Sequence, residues 1–167
     1  MRFAPVAAAL SLVVAVTASV GGAQEGQPDP RAAMLMAKAG AALAAGETQE
    51  AINSFEAALA VDPGHTPIFI GLAEVARKEG LQGKAIRYYR EAIARDPRNF
   101  AAISGEGEAL IEKGALQKAK RNLAKLQSMC GPSCPETLEL QSSIDEQGNQ
   151  TRMAADAMSN DSSTVNN

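Results

Sequence analysis

Apolar positions recur along the chain with the period of a helix. Ile52, Phe55 and Leu59 form one such set, and Ile86, Tyr89 and Ile93 form another. Steps of three and four residues place each set on one face of a 3.6-period helix. The pattern also repeats as a block. Asp62-Pro63 and Asp96-Pro97 stand 34 residues apart, and so do Gly46 and Gly80, Ala51 and Ala85, Phe55 and Tyr89, and Ala58 and Ala92. A further step reaches Gly114, Ala119, Leu123 and Leu126. Three registers in agreement predict a repeat architecture.

Each repeat reads as two helices. The first helices are predicted at Pro30–Ala45, Pro67–Glu79 and Phe100–Lys113, and the second at Gln49–Val61, Gln82–Arg95 and Leu116–Met129. Asp29 before Pro30 is an N-cap with proline at the first helical position, and Thr66-Pro67 reads the same way. Thr48 is placed to cap the second helix of the first unit. Gly46, Gly80 and Gly114 fall where each first helix must end in a left-handed residue. Pro63 and Pro97 stop the second helices. Ala51, Ala85 and Ala119 fall where the two helices of a unit cross, and a bulky side chain there would force the pair apart.

These residues resemble the tetratricopeptide repeat family, whose unit carries a small residue, then Gly, Ala, an aromatic, Ala and Pro. The first unit reads Ala39-Gly46-Ala51-Phe55-Ala58-Pro63 and the second Ala73-Gly80-Ala85-Tyr89-Ala92-Pro97. The third reads Gly107-Gly114-Ala119-Leu123-Leu126, with Gly131 in place of the proline. The resemblance covers about Pro30 to Pro132. It implies an all-α fold, a right-handed α-solenoid of three helix-turn-helix units (about 30–65, 66–99 and 100–132). The bulky family positions are reduced here, to Leu35, Phe69 and Ile103 and to Ala42, Ala76 and Leu110. Less area is therefore buried per unit, and modest stability is expected.

In the family the first helices line a concave groove. Position by position, that implies Ala33, Met36, Gly40 and Leu43 in unit one, and Ile70, Glu74, Arg77 and Lys78 in unit two. Unit three contributes Ala101, Ser104, Glu108 and Ile111. One subclass clamps a partner's C-terminal carboxylate with Lys and Asn; Met36 and Gly40 stand at the first two of those positions, so that clamp is absent.

The ends of the chain read differently. Arg2, the apolar run Val6 to Val20 and the small residues Gly21, Gly22 and Ala23 have the order of a secretory signal peptide, residues 1–23. Cleavage is expected after Ala23, with Ala18 as the second choice, leaving a domain at 24–147 in the periplasm. Cys130 and Cys134 are the sole cysteines, and in an exported protein a local pair reads as a disulfide. A redox dithiol or half a metal site are the sharper readings of that pair. It would fix the turn into a capping helix at 135–147, with Leu138, Leu140 and Ile144 as its apolar face. The residues Gly148 to Asn167 lack hydrophobic periodicity and are expected to be a disordered tail, with an extended or frayed helix over Thr151–Met158 as the alternative.

Charge adds little. Sixteen basic against nineteen acidic residues give a formal charge of -3, which argues against nucleic acid as a partner. Lys118, Arg121 and Lys125 share a convex face and read as solvated, and His65 reads as an exposed turn residue. No catalytic set, phosphate loop or cluster of metal ligands is visible, and paired carboxylates read as solvent-face residues. The expectation is therefore a protein without enzymatic activity, cofactor or metal, and with no transmembrane segment after the leader. It would be a periplasmic scaffold that binds a peptide segment of another envelope protein. The alternatives are an accessory subunit of an envelope assembly machine, or a thiol–disulfide protein using Cys130 and Cys134. If Ala85 lies at a helix crossing, Ala85→Leu should destabilise by about 1–3 kcal/mol while Ala94→Leu stays within about 0.5 kcal/mol, read by thermal unfolding.

Overall fold

A computed structural model describes residues 27–163. The expected leader at 1–23 lies outside the described residues, as do 164–167. Seven helices make up the described part: α1 (Pro30–Ala44), α2 (Thr48–Val61), α3 (Thr66–Lys78), α4 (Gln82–Arg95), α5 (Phe100–Glu112), α6 (Leu116–Met129) and α7 (Pro135–Ser163). No strand occurs among the described residues. Successive helices pair as α1–α2, α3–α4 and α5–α6, and each pair stacks on the next. The fold is an all-α helical-repeat solenoid.

The turn inside each pair is the same three times. Gly46, Gly80 and Gly114 have φ of 79°, 71° and 78°, a region closed to most side chains. Their geometry lets the following N–H groups reach back: Glu47 donates to Ala42, Leu81 to Ala76 and Ala115 to Leu110, at 2.9, 2.8 and 2.7 Å. These bonds satisfy carbonyls that each first helix would otherwise leave open. They also lead the chain straight into the next helix. Thr48 is therefore the first residue of α2, and Glu47 holds the N-cap position without a side-chain bond. Thr66 likewise opens α3, behind an extended His65. Neither threonine is the cap expected of it. Asp29 is a true cap, accepting from the Arg31 N–H at 2.8 Å, and Asn99 caps α5 from 2.9 Å.

Units are joined by a ring set on a glycine. A Cβ on Gly71 would lie 2.3 Å from the Phe55 ring, and one on Gly105 would lie 2.4 Å from the Tyr89 ring. The aromatic on the second helix of one unit thus presses against bare backbone in the first helix of the next. Ala51, Ala85 and Ala119 are fully buried at the crossings within the units. The core has two lobes, one in α1–α3 and one from α3 to α7, and Leu59 and Tyr88 pack against both.

The helix α7 covers the open end of the stack. Leu140 and Ile144 are buried there, and a Cβ on Gly107 would meet Leu140 at 2.6 Å. Leu138 is not part of that face: it is 56% exposed, and Thr137, at 2%, takes the inward position. Inward positions fall at 137, 140 and 144, and 138 lies off that stripe. Nor does α7 stop at Gln147. It continues to Ser163 where a disordered tail was expected. One glycine at 148 costs a helix only about 1 kcal/mol, and Arg152, Met153, Ala154 and Ala155 after it are good helix formers. The Thr151 hydroxyl also donates to the Gln147 carbonyl at 2.9 Å. The Cys130 and Cys134 sulfurs lie at bonding distance, 2.16 Å, in the turn between α6 and α7. No helix among the described residues is long and apolar enough to cross a membrane.

Glycine within a helix ordinarily loses to alanine by about 1 kcal/mol. That order should hold at Gly40, where a Cβ meets nothing within 4 Å, and reverse at Gly71. Urea unfolding should show Gly40→Ala stabilised by up to about 1 kcal/mol and Gly71→Ala destabilised by about 1–3 kcal/mol.

Candidate binding groove

The first helices line a concave groove of about 800 Å³. Gly40, Leu43 and Ala44 come from α1, Ile70, Glu74, Arg77 and Lys78 from α3, and Ala101, Ser104, Glu108 and Glu112 from α5. Tyr89 and Gly105 reach its floor, and Pro135, Glu136 and Glu139 of α7 close its far wall. A second cleft of about 320 Å³ continues along α7 past Ser143, Glu146, Gln147 and Gln150. Arg77, Glu108 and Glu112 line both.

Most of the residues expected in the groove are brought together there, with four differences, the first being Ala33, which lines neither cleft. Met36 does not line it; its side chain is half-buried against the α1–α3 lobe of the core. Ile111 is 8% exposed and belongs to the larger lobe, touching only the second cleft. Ser104 is 3% exposed, and its hydroxyl donates to the Glu136 carbonyl at 3.2 Å. That bond fastens α5 to α7, so the hydroxyl is already engaged.

The centre of the groove is an ion cluster between units two and three. Arg77 Nε and Nη2 donate to Glu112 Oε1 at 3.0 and 2.5 Å, and Nη1 donates to Glu108. Burial works against the Arg77 charge, but the bonds to Glu112, the nearby Tyr89 oxygen and the Glu108 charge outweigh it and raise its pKa. Lys78 Nζ donates to the Leu43 carbonyl at 3.0 Å, tying α3 to the end of α1. Burial raises the pKa of Glu108 against the pull of Arg77, and the charges of Glu139 and Glu112 push it the same way. Glu74 keeps an exposed face, yet lost hydration at the groove wall raises it too, despite Arg77 and Lys78 nearby. Negative charge is crowded here.

Several of these residues escaped the sequence reading. Glu112 lies one turn beyond Glu108, a spacing that a search for charge at helical intervals would find. Glu136, Glu139, Ser143 and Glu146 form a stripe on α7, which was read only as a cap. A buried carboxylate was missed as well. Glu106 is 8% exposed, contrary to the expectation of solvent-face acids, and accepts from Arg90 Nε at 2.7 Å and Asn122 Nδ2 at 3.0 Å. It ties α4, α5 and α6 together away from the groove. Among the described residues, the one cluster with metal-ligand spacing is Cys130, Cys134 and Glu136, and its sulfurs are bonded to each other.

A stacked helical repeat with a charged concave groove defines a class of binding modules. The sequence matches the profile of the Tetratricopeptide repeat family over residues 6–66, 36–97 and 70–120. The chain belongs to that family. No curated protein matches it. Among solved structures, the Sgt2 TPR domain from Aspergillus fumigatus is similar with a TM-score of 0.66 and 22% identity, over 77% of this chain and 83% of that one. The first TPR domain of Spaghetti (RPAP3), bound to the HSP90 peptide SRMEEVD, gives 0.64 at 18% identity, over 73% and 94%. The Yersinia enterocolitica type III secretion chaperone SycD, in complex with a peptide of the translocator YopD, gives 0.61 at 22% identity, over 74% and 93%. These likenesses establish the fold.

Burial pushes the Tyr89 hydroxyl up to about 12 from an ordinary 10.0. The folded state therefore keeps a proton that the unfolded chain releases. This stabilisation is complete below pH 10 and lost as pH rises towards 12. Between about pH 9 and about pH 11 the protein should lose about 1 kcal/mol more stability than its Tyr89→Phe variant, measured by urea unfolding.

Proposed function

We propose that this protein is an exported interaction scaffold that holds a peptide segment of another envelope protein in its concave groove. One observation carries the reading. A groove of about 800 Å³ runs across the first helices of all three units, with an apolar floor at Leu43, Ile70 and Ala101 and ionised groups along its sides. An extended segment lying there would bury side chains on the floor and meet polar groups at the walls. The RPAP3 domain and SycD, which share the fold, were each solved with a peptide bound. Export rests on the order of charge, apolar run and small residues at 1–23. The Cys130–Cys134 pair suits the same oxidising compartment.

Ala101 is exposed on the groove floor, so a bulky group there fills the groove without disturbing the core. The immobilised protein and its Ala101→Trp variant should be compared for capture from periplasmic extract. At least one protein held by the parent should fall about tenfold on the variant, as loss of about 1.4 kcal/mol of contact implies. Identical capture by a variant with an unchanged circular dichroism spectrum refutes the groove. Fusion of residues 1–23 to a reporter active only outside the cytoplasm tests export, and an inactive fusion refutes it.

A further inference from the structure

The charge of the groove specifies the chemistry of its occupant, an inference that rests on the groove being the binding site. Five carboxylates line the main groove, Glu74, Glu108, Glu112, Glu136 and Glu139, against two cations, Arg77 and Lys78. Of the two cations only Lys78, exposed and in no ion pair, keeps an unpaired charge. Arg77 is held by Glu108 and Glu112, and Lys78 donates to a backbone carbonyl. Among the described residues, no Lys or Arg forms an ion pair with Glu74, Glu136 or Glu139. Glu146 extends the same sign into the adjoining cleft.

We infer that the groove takes an extended, lysine- or arginine-rich segment of a partner protein, seated with its cationic side chains on Glu74, Glu136 and Glu139 and its apolar ones on Ile70 and Ala101. The spread of these carboxylates favours such a segment over a single charge, because they stand on opposite walls, α3 and α7, with the apolar floor between them. An acidic segment would meet like charge on both walls with Lys78 alone to offset it. Lost hydration first, and neighbouring carboxylates after it, make Glu74 and Glu108 resist ionisation, and an incoming cation offsets that cost.

Fluorescence anisotropy with a labelled peptide of alternating Lys and Ala, and with its Glu–Ala counterpart, tests the assignment on the purified protein. The Lys–Ala peptide should bind more tightly, and its affinity should fall with added salt. The variant Glu74→Gln, Glu136→Gln, Glu139→Gln should bind it about tenfold more weakly, the sum of several partly exposed ion pairs. None of these three holds Arg77, so the central ion cluster stays intact. The variant Glu56→Gln, Glu79→Gln, Glu91→Gln removes the same charge outside the groove and should leave affinity unchanged. Should the first variant unfold, Glu139→Gln alone is used, with a proportionately smaller loss expected. Equal loss in the two triple variants, or no loss in either, overturns the inference, as does tighter binding of the Glu–Ala peptide. If Ala101→Trp abolishes that Glu–Ala binding, the groove survives as a peptide site and only its charge preference fails. If Ala101→Trp affects neither peptide, the proposed function fails with it.

Discussion

The stack depends on an aromatic ring lying flat against a helix that has no side chain to keep it away. Phe55 meets Gly71, and Tyr89 meets Gly105, in each case sixteen residues further along the chain. Ring and glycine belong to different units, so the contact sets the distance between units rather than within them. Glycine is normally a poor choice inside a helix. It is tolerated here because the absent methyl lets a large apolar surface close against backbone. The device ends where the repeat ends. The third unit has Leu123 at the ring position, and the residue sixteen further on is Glu139, which faces the groove. The closing contact is made instead by Leu140 of α7 pressed onto Gly107.

Much of this was legible in the sequence because its cause is local. The glycines that end the first helices, the alanines at the crossings and the 34-residue period each follow from backbone geometry or from sterics within one unit. What escaped depends on neighbours. Gly71 and Gly105 carry no signal within their own unit, and their partners lie in the preceding one. Thr48 and Thr66 have capping chemistry, but the turns before them start the helices at those residues. Leu138 looks apolar enough for the core, and only the rotation of α7 shows Thr137 facing inward. In the groove, family positions predicted which helices supply the walls. They did not predict that Met36 packs inward, that the Ser104 hydroxyl is already bonded, or that α7 lends a row of carboxylates.

Glu106 illustrates how the repeat accommodates a polar residue. At the 34-residue period it occupies the register of Leu72 and Leu140, both buried. A lone carboxylate there would be costly. Arg90 and Asn122 reach it from α4 and α6, and Asn122 also donates to the Ile103 carbonyl at 3.1 Å. An apolar contact has been replaced by a bonded network joining three helices. Such a network tolerates fewer rearrangements than leucine packing, because each donor has a fixed direction.

The same reasoning separates two roles that the groove residues would otherwise confuse. Arg77 is the most prominent charge in the groove, yet its partners are residues of the next unit. It acts as a staple between α3 and α5, alongside the ring-on-glycine contact below it. Removing it would leave Glu108 and Glu112 facing each other in a partly buried site, and the stack itself would suffer. A loss of binding on substitution of Arg77 therefore cannot be assigned to the groove surface. Glu74, Glu136 and Glu139 join no such ion pair. The charges that pair across the units and the charges left open to a partner are thus different sets of residues, and apart from Lys78 the open set is acidic.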